Sequence, residues 1–138
     1  MTNFTRFLSD PQLASFAEIA ETAEKVYGID PAMCVLSCRR SVEFAVKWMY
    51  SVDGALVMPY DDRLVSLMDA EDFRDIVGPD LWKRLKYIRQ TGNDAAHKGV
   101  KISAEQAALC LENLYVIIDF IAYCYGSDYA KGEFDRSL

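Results

Sequence analysis

The 138-residue chain has one histidine, no Cys-x-x-Cys pair and no glycine-rich phosphate loop. Each absence removes a class of chemistry. Cys34, Cys38, Cys110 and Cys124 sit inside helix-like segments, and His97 alone cannot complete a zinc set with them at familiar spacing. They read as buried thiols in a reducing compartment. There is no Walker motif, no nucleophile elbow and no acidic cluster with metal spacing, so neither cofactor nor metal is expected. The acid pairs Asp61-Asp62 and Glu71-Asp72 stand at expected helix starts, where the helix dipole already explains them. No apolar run follows Arg6 at the N-terminus, so no secretory signal is expected. The most apolar stretch, residues 109–125, is interrupted by Glu112, Asn113 and Asp119, too polar for a membrane span. A cytoplasmic chain with no membrane partner is the expectation.

Positive charge is also scarce. Fifteen Lys and Arg face 21 Asp and Glu, for a net charge of −6. A protein that binds nucleic acid through bulk charge is basic, so any such role must rest on a local patch. Hydrophobic residues at 51% and charged residues at 26% describe a globular chain, not a disordered one. Surface scaling gives about 22,600 Å² unfolded against about 7,200 Å² folded, enough burial for one domain without staples.

What the chain does have is helix punctuation. Asp10-Pro11 and Asp30-Pro31 each offer an N-cap acceptor followed by proline at the first helical position. Gly28 stands where a left-handed residue would close the first helix. Helices are therefore expected over about 11–27 and 31–51, paired as an antiparallel hairpin. Residues 56–58 read as a buried connector before Pro59. Two short helices over 61–68 and 69–77 should follow, and Gly78-Pro79-Asp80 should open another from Leu81 to about Thr91. Gly92 either ends that helix or kinks it, because glycine costs only about 1 kcal/mol in a helix interior. Ser103-Ala104-Glu105-Gln106 is a capping box that starts a last long helix, ending at Gly126. Its Leu111, Leu114, Ile117, Ile118, Ile121 and Tyr125 share one wide face, which predicts the central helix. No run alternates like a strand and no hairpin turn joins two such runs. The fold class is all-α: a compact bundle of about five to six helices forming a single domain over 1–138, with a core over about 9–126 and a polar tail over 127–138. Trp48, Trp82 and Tyr115 read as core aromatics or, in a dimer made for protein contact, as interface aromatics.

One segment breaks the acidic trend. Residues 81–101 hold Lys83, Arg84, Lys86, Arg89, Lys98 and Lys101 against Asp94 alone, a local charge of +5 that leaves −11 for the rest. Such a segment is either the solvated face of an amphipathic helix or a surface for phosphate or an acidic partner. Within it Arg89, Asn93 and His97 recur every four residues. If the helix continues through Gly92 they form one stripe, about 6 Å of rise apart. Glu43 sits four residues from both Arg39 and Lys47 on its own helix. It either pairs there or reaches across to Arg89, and Arg39-Arg40 add to the basic surface if the two helices pack together.

The strings Cys38-Arg39-Arg40-Ser41-Val42-Glu43-Phe44 and Ile88-Arg89-Gln90-Thr91-Gly92-Asn93-Asp94-Ala95-Ala96-His97 resemble a bacterial helical domain of unknown function. That domain occurs at the N-terminus of type I restriction enzyme R subunits and related DEAD/DEAH-box helicase proteins. The resemblance covers about residues 4–129. It implies the front end of a larger motor protein, with other subunits or domains of a restriction complex as partners. DNA or RNA would then be handled through the 83–101 segment. The same string is more distantly similar to HEPN domains, helical bundles that often dimerise and include metal-independent ribonucleases. That similarity implies Arg89 and His97 as a catalytic pair, Asn93 as the polar neighbour and Glu43 as an arginine partner. Seven residues separate Arg89 from His97, which departs from the ribonuclease pattern. The expected function is a non-catalytic interaction module binding through Arg89, Asn93, His97, Lys83, Lys86 and Lys98, supported by Glu43, Arg39 and Gly92. The alternatives are a ribonuclease using Arg89 and His97, or a homodimer made for protein contact.

Overall fold

The computed structural model describes residues 1–97, 100–127 and 129–138. A 3-10 turn at Thr5–Phe7 precedes five helices: α1 (Ala14–Val26), α2 (Pro31–Val52), α3 (Leu64–Asp69), α4 (Glu71–Ala96) and α5 (Ala104–Tyr125). No strand occurs among the described residues, so the all-α bundle forms as its punctuation predicts. The accessible surface is 7558 Å², close to the value expected of a compact chain of this mass.

The hub is α2, not α5. It packs against α1, α3, α4 and α5, whereas α5 meets only α1, α2 and α4 among the larger contacts. The reason is side-chain size. Cys34, Cys38, Ser41 and Ala45 are completely buried along α2, and their small volumes let neighbouring helices approach closely. The Ser41 hydroxyl donates to the Phe16 carbonyl at 2.8 Å, so the only polar atom on that inner line is satisfied. The large Leu and Ile side chains of α5 fill the remaining space: Leu114, Ile117, Ile118 and Ile121 are all buried. Because α5 is 22 residues long and apolar, it would by length and composition suffice to cross a membrane. Yet each polar side chain that interrupts it has a partner: Asn113 with Arg84, Asp119 with Arg6 and Tyr129, Glu112 with Arg136.

Two caps form as expected. The Asp30 carboxylate accepts from the Ala32 and Met33 backbone N–H groups. Both halves of the Ser103–Gln106 capping box are present. Elsewhere the punctuation is used differently. Asp10 does not cap α1, which begins at Ala14 with no side-chain cap. Its carboxylate accepts from the Gln12 and Ser127 backbone instead, tying the start of α1 to the end of α5. Gly28 is not left-handed, because the turn closes through Ile29 and Asp30 N–H bonds to the Val26 carbonyl. The left-handed glycine is Gly78, at φ 78°, the one positive-φ residue among those described. Its φ 78°, ψ 166° is non-helical and Pro79 follows, so the Gly-Pro pair divides α4 into two helical stretches that meet at a kink, as the Gly78-Pro79-Asp80 punctuation predicts. The 56–58 connector is only partly buried: Leu56 points inward, while Val57 and Met58 are exposed. Of the four free thiols, Cys124 is exposed and the other three are buried.

The two termini are also more structured than their polarity suggests. Phe4 and Phe7 are buried, so the core extends to residue 4. Asn3 exchanges two hydrogen bonds with the Asp135 backbone, at 2.9 and 2.7 Å. Phe134 packs on Tyr115, and Arg136 reaches Glu105 and Glu112 on α5. The tail lacks helical periodicity, yet a few spaced anchors hold it along the outer side of α5.

Candidate functional site

Where α2 crosses α4, the crossing is set by glycine. Gly92 is helical and buried, and a Cβ there would lie 2.6 Å from Arg39 Cδ and 2.8 Å from Arg39 Cβ. The helix therefore continues through Gly92 because its bare face is the bed for the Arg39 stem. Arg89, one turn earlier on α4, and Asn93, one residue later, flank that contact.

A half-open cleft of about 270 Å³ results, lined by Arg39 and Glu43 from α2, Arg89 and Asn93 from α4, and Arg63, Leu64 and Val65 at the start of α3. The Nε atoms of Arg39 and Arg89 are buried and have no hydrogen-bond partner among the described residues. A buried donor left unmade costs about 1–3 kcal/mol, and such an atom in a native fold asks for a missing water or ion. Both Nε atoms belong to arginines that line the cleft, one from each helix.

The third arginine is handled otherwise. Arg63 grips Asp61 through three contacts of 3.0, 3.1 and 2.7 Å, and this pairing raises its pKa and holds the Asp61 carboxyl well below the usual range. It is largely exposed and stands at the rim as an already neutralised charge. Glu43 pairs with Lys47 on its own helix at 3.3 Å, an exposed i,i+4 contact worth only a few tenths of a kcal/mol. No ion pair joins Glu43 to Arg89 among the described residues, although they share the cleft.

The +5 segment does not act as one patch. Arg84 turns toward α5, donating to Asn113 at 2.8 Å and pairing with Asp80 at 3.2 Å. Lys86 lies on the face of Trp82, Arg89 and Asn93, 5.6 Å from the Trp82 ring, whose other close cation is Arg74 at 4.1 Å. Trp82 donates to the Met68 carbonyl at 2.8 Å and is half-buried; Tyr115 is fully in the core, and Trp48 packs between Phe16 and Tyr125. Lys83 is exposed on the neighbouring face. Lys98 lies outside the described residues.

His97 leaves the stripe. The last helical residue is Ala96, and His97 caps the helix in extended conformation at ψ 133°, exposed and outside the cleft lining. Arg89 lines the cleft eight positions earlier, and His97 does not join it there. The cleft thus gathers Arg39, Glu43, Arg89 and Asn93 from the sequence candidates and adds Arg63, Leu64 and Val65. No local pattern announces these last three, because they reach the site through the α3 packing.

A family profile described as Domain of unknown function (DUF4145) matches residues 21–131. The chain belongs to this family. The DUF4145 match spans α1 from Glu21 onward, all of α2 to α5 and the start of the tail, so both walls of the cleft lie inside it. No curated protein matches the chain, and no solved structure does. Among the described residues no group of His, Cys, Asp and Glu side chains is arranged to hold a metal.

Proposed function

We propose that this DUF4145 domain is a non-catalytic interaction module of a larger cytoplasmic restriction-type complex, handling nucleic acid through the α2–α4 cleft. The observation that supports it is the pair of buried, unpartnered Nε atoms on Arg39 and Arg89 in a cleft that also holds Asn93. Phosphate oxygens are acceptors suited to the two guanidinium groups that line the cleft. Lys86, on the same face of α4, extends the positive surface away from the cleft. The separation of His97 from Arg89 favours binding over ribonuclease chemistry. The assembly half of the reading draws on Met33, Leu36 and Phe44, exposed along α2 next to the cleft, which offer other subunits an apolar strip.

Fluorescence anisotropy of a labelled single-stranded oligonucleotide at two salt concentrations tests the binding half. With about three phosphate contacts, affinity should fall about tenfold to twentyfold between about 50 and 200 mM salt. The double variant Arg39→Met, Arg89→Met should lose most of the low-salt binding. No binding at the lower salt, or binding indifferent to the double variant, would remove the nucleic-acid role.

A further inference from the structure

We propose that the α2–α4 cleft takes one unpaired nucleotide of a single strand and prefers guanine. This rests on the binding role above and specifies what enters the site. The lining is not that of a bare phosphate pocket. Beside the arginines stand a carboxylate, Glu43, an amide, Asn93, and an apolar wall of Leu64 and Val65. A phosphate brings acceptors for the arginines and nothing for the Glu43 carboxylate, so phosphate alone leaves part of the lining unmatched. The ligand that satisfies every part of the lining brings acceptors for Arg39 and Arg89, donors for Glu43, and a flat apolar face for the wall. A nucleotide within a strand has all three.

Size selects against a duplex. At about 270 Å³ the cleft is smaller than the roughly 300–1,000 Å³ that holds drug-sized ligands, which leaves room for one base and none for a pair. Chemistry selects among the bases. Guanine alone sets two N–H donors, N1–H and the N2 amino group, side by side, matching the two oxygens of one carboxylate. Its O6 and N7 present adjacent acceptors to an arginine fork or to the Asn93 amide. Adenine and cytosine each place one amino group beside a ring acceptor that faces a carboxylate unfavourably. Thymine has one N–H between two carbonyls. Glu43 is free to serve: its Oε1 holds only the exposed 3.3 Å contact with Lys47, and Oε2 has no hydrogen bond among the described residues.

Anisotropy titrations decide it with three labelled probes: an eight-residue oligothymidylate, the same oligomer with one central deoxyguanosine, and the same with deoxyinosine, which lacks the N2 amino group. The guanine probe should bind about tenfold more tightly than oligothymidylate, with inosine losing most of that gain. Glu43→Gln should bring the guanine probe down to the oligothymidylate level. Its circular dichroism, expected to match wild type at this half-exposed position, controls for folding. Equal binding of all three probes, or a guanine preference that survives Glu43→Gln, overturns the inference while leaving the nucleic-acid role standing. Failure of every probe to bind at low salt overturns both.

Discussion

Arg6 and Arg89 are both half-buried arginines on this bundle, and the fold treats them in opposite ways. Arg6 donates to the Tyr115 hydroxyl at 2.9 Å and to Asp119 at 3.1 Å, and its guanidinium lies 4.6 Å from the Phe7 ring centre. Asp119 in turn accepts from Tyr129, so no buried polar side-chain atom of this group lacks a partner among the described residues. Around Arg89 and Arg39 the two Nε atoms lack partners among the described residues, and the cleft's carboxylate, Glu43, makes only one exposed contact, with Lys47. Where polar groups are satisfied, they hold the termini to α5. Where they are not, the protein carries a local cost that a ligand would relieve. Under the proposed function this difference separates structural from functional charge more cleanly than charge density does, since Arg84 sits in the most basic segment and is paired with Asn113 and Asp80.

The largest test of that contrast is Arg6→Met. It strips Asp119 of its cation and Tyr115 of its donor, and urea unfolding should show a loss of about 2–3 kcal/mol. Gly92→Ala comes next. Its new methyl must displace the Arg39 stem, so a loss of about 1–2 kcal/mol should accompany weakened oligonucleotide binding. Stability loss without a binding loss would show that Arg39 does not work from that bed. Gly78→Ala places a side chain at φ 78° in open space, so its cost of about 1–2 kcal/mol is backbone strain alone, with binding preserved.

A smaller effect concerns the short Tyr125–Asp53 contact that joins the C-terminal ends of α5 and α2. The Tyr125 hydroxyl, and then the Ala55 N–H, hold the Asp53 carboxyl below its ordinary value. A depressed carboxylate contributes stability above its unfolded pKa and loses it as pH falls through the folded one. The stability difference between wild type and Tyr125→Phe should therefore shrink as pH falls below about 5 in urea titrations. The smallest perturbation is chemical labelling. Ellman's reagent should reach Cys124 in the folded protein and Cys34, Cys38 and Cys110 only after unfolding; burial pushes the Cys110 thiol up to about 12.

Local sequence carried the helices and their best caps, because Asp30-Pro31 and the Ser103 box act within four residues. It left Gly92 open and misplaced the left-handed glycine at Gly28, since a glycine's role at Gly92 depends on what lies opposite and at Gly28 on how the turn closes. Arg39, 53 positions away, is what makes Gly92 a packing surface. Nor could composition reveal that the polar tail docks, because Asn3 and Asp135 meet only once the bundle has formed. At the site, helical spacing correctly joined Arg89 to Asn93, and the Arg39/Glu43 pair followed if α2 packed on α4. His97 parted from them because α4 ends one residue earlier, a boundary that four-residue spacing cannot see. Arg63 carries no sequence signal of its own and becomes a rim residue through tertiary packing alone.

The central claim is that the cleft arginines serve a ligand while Arg6 serves the fold. Stability and single-strand affinity measured side by side on Arg6→Met and Arg89→Met test it most directly. Arg6→Met should lose stability and keep its affinity within about twofold. Arg89→Met should stay within about 0.5 kcal/mol of wild-type stability, because it removes an unpartnered donor, while its affinity falls at least about tenfold. An Arg89→Met protein as destabilised as Arg6→Met, or one that binds as tightly as wild type, would contradict the account.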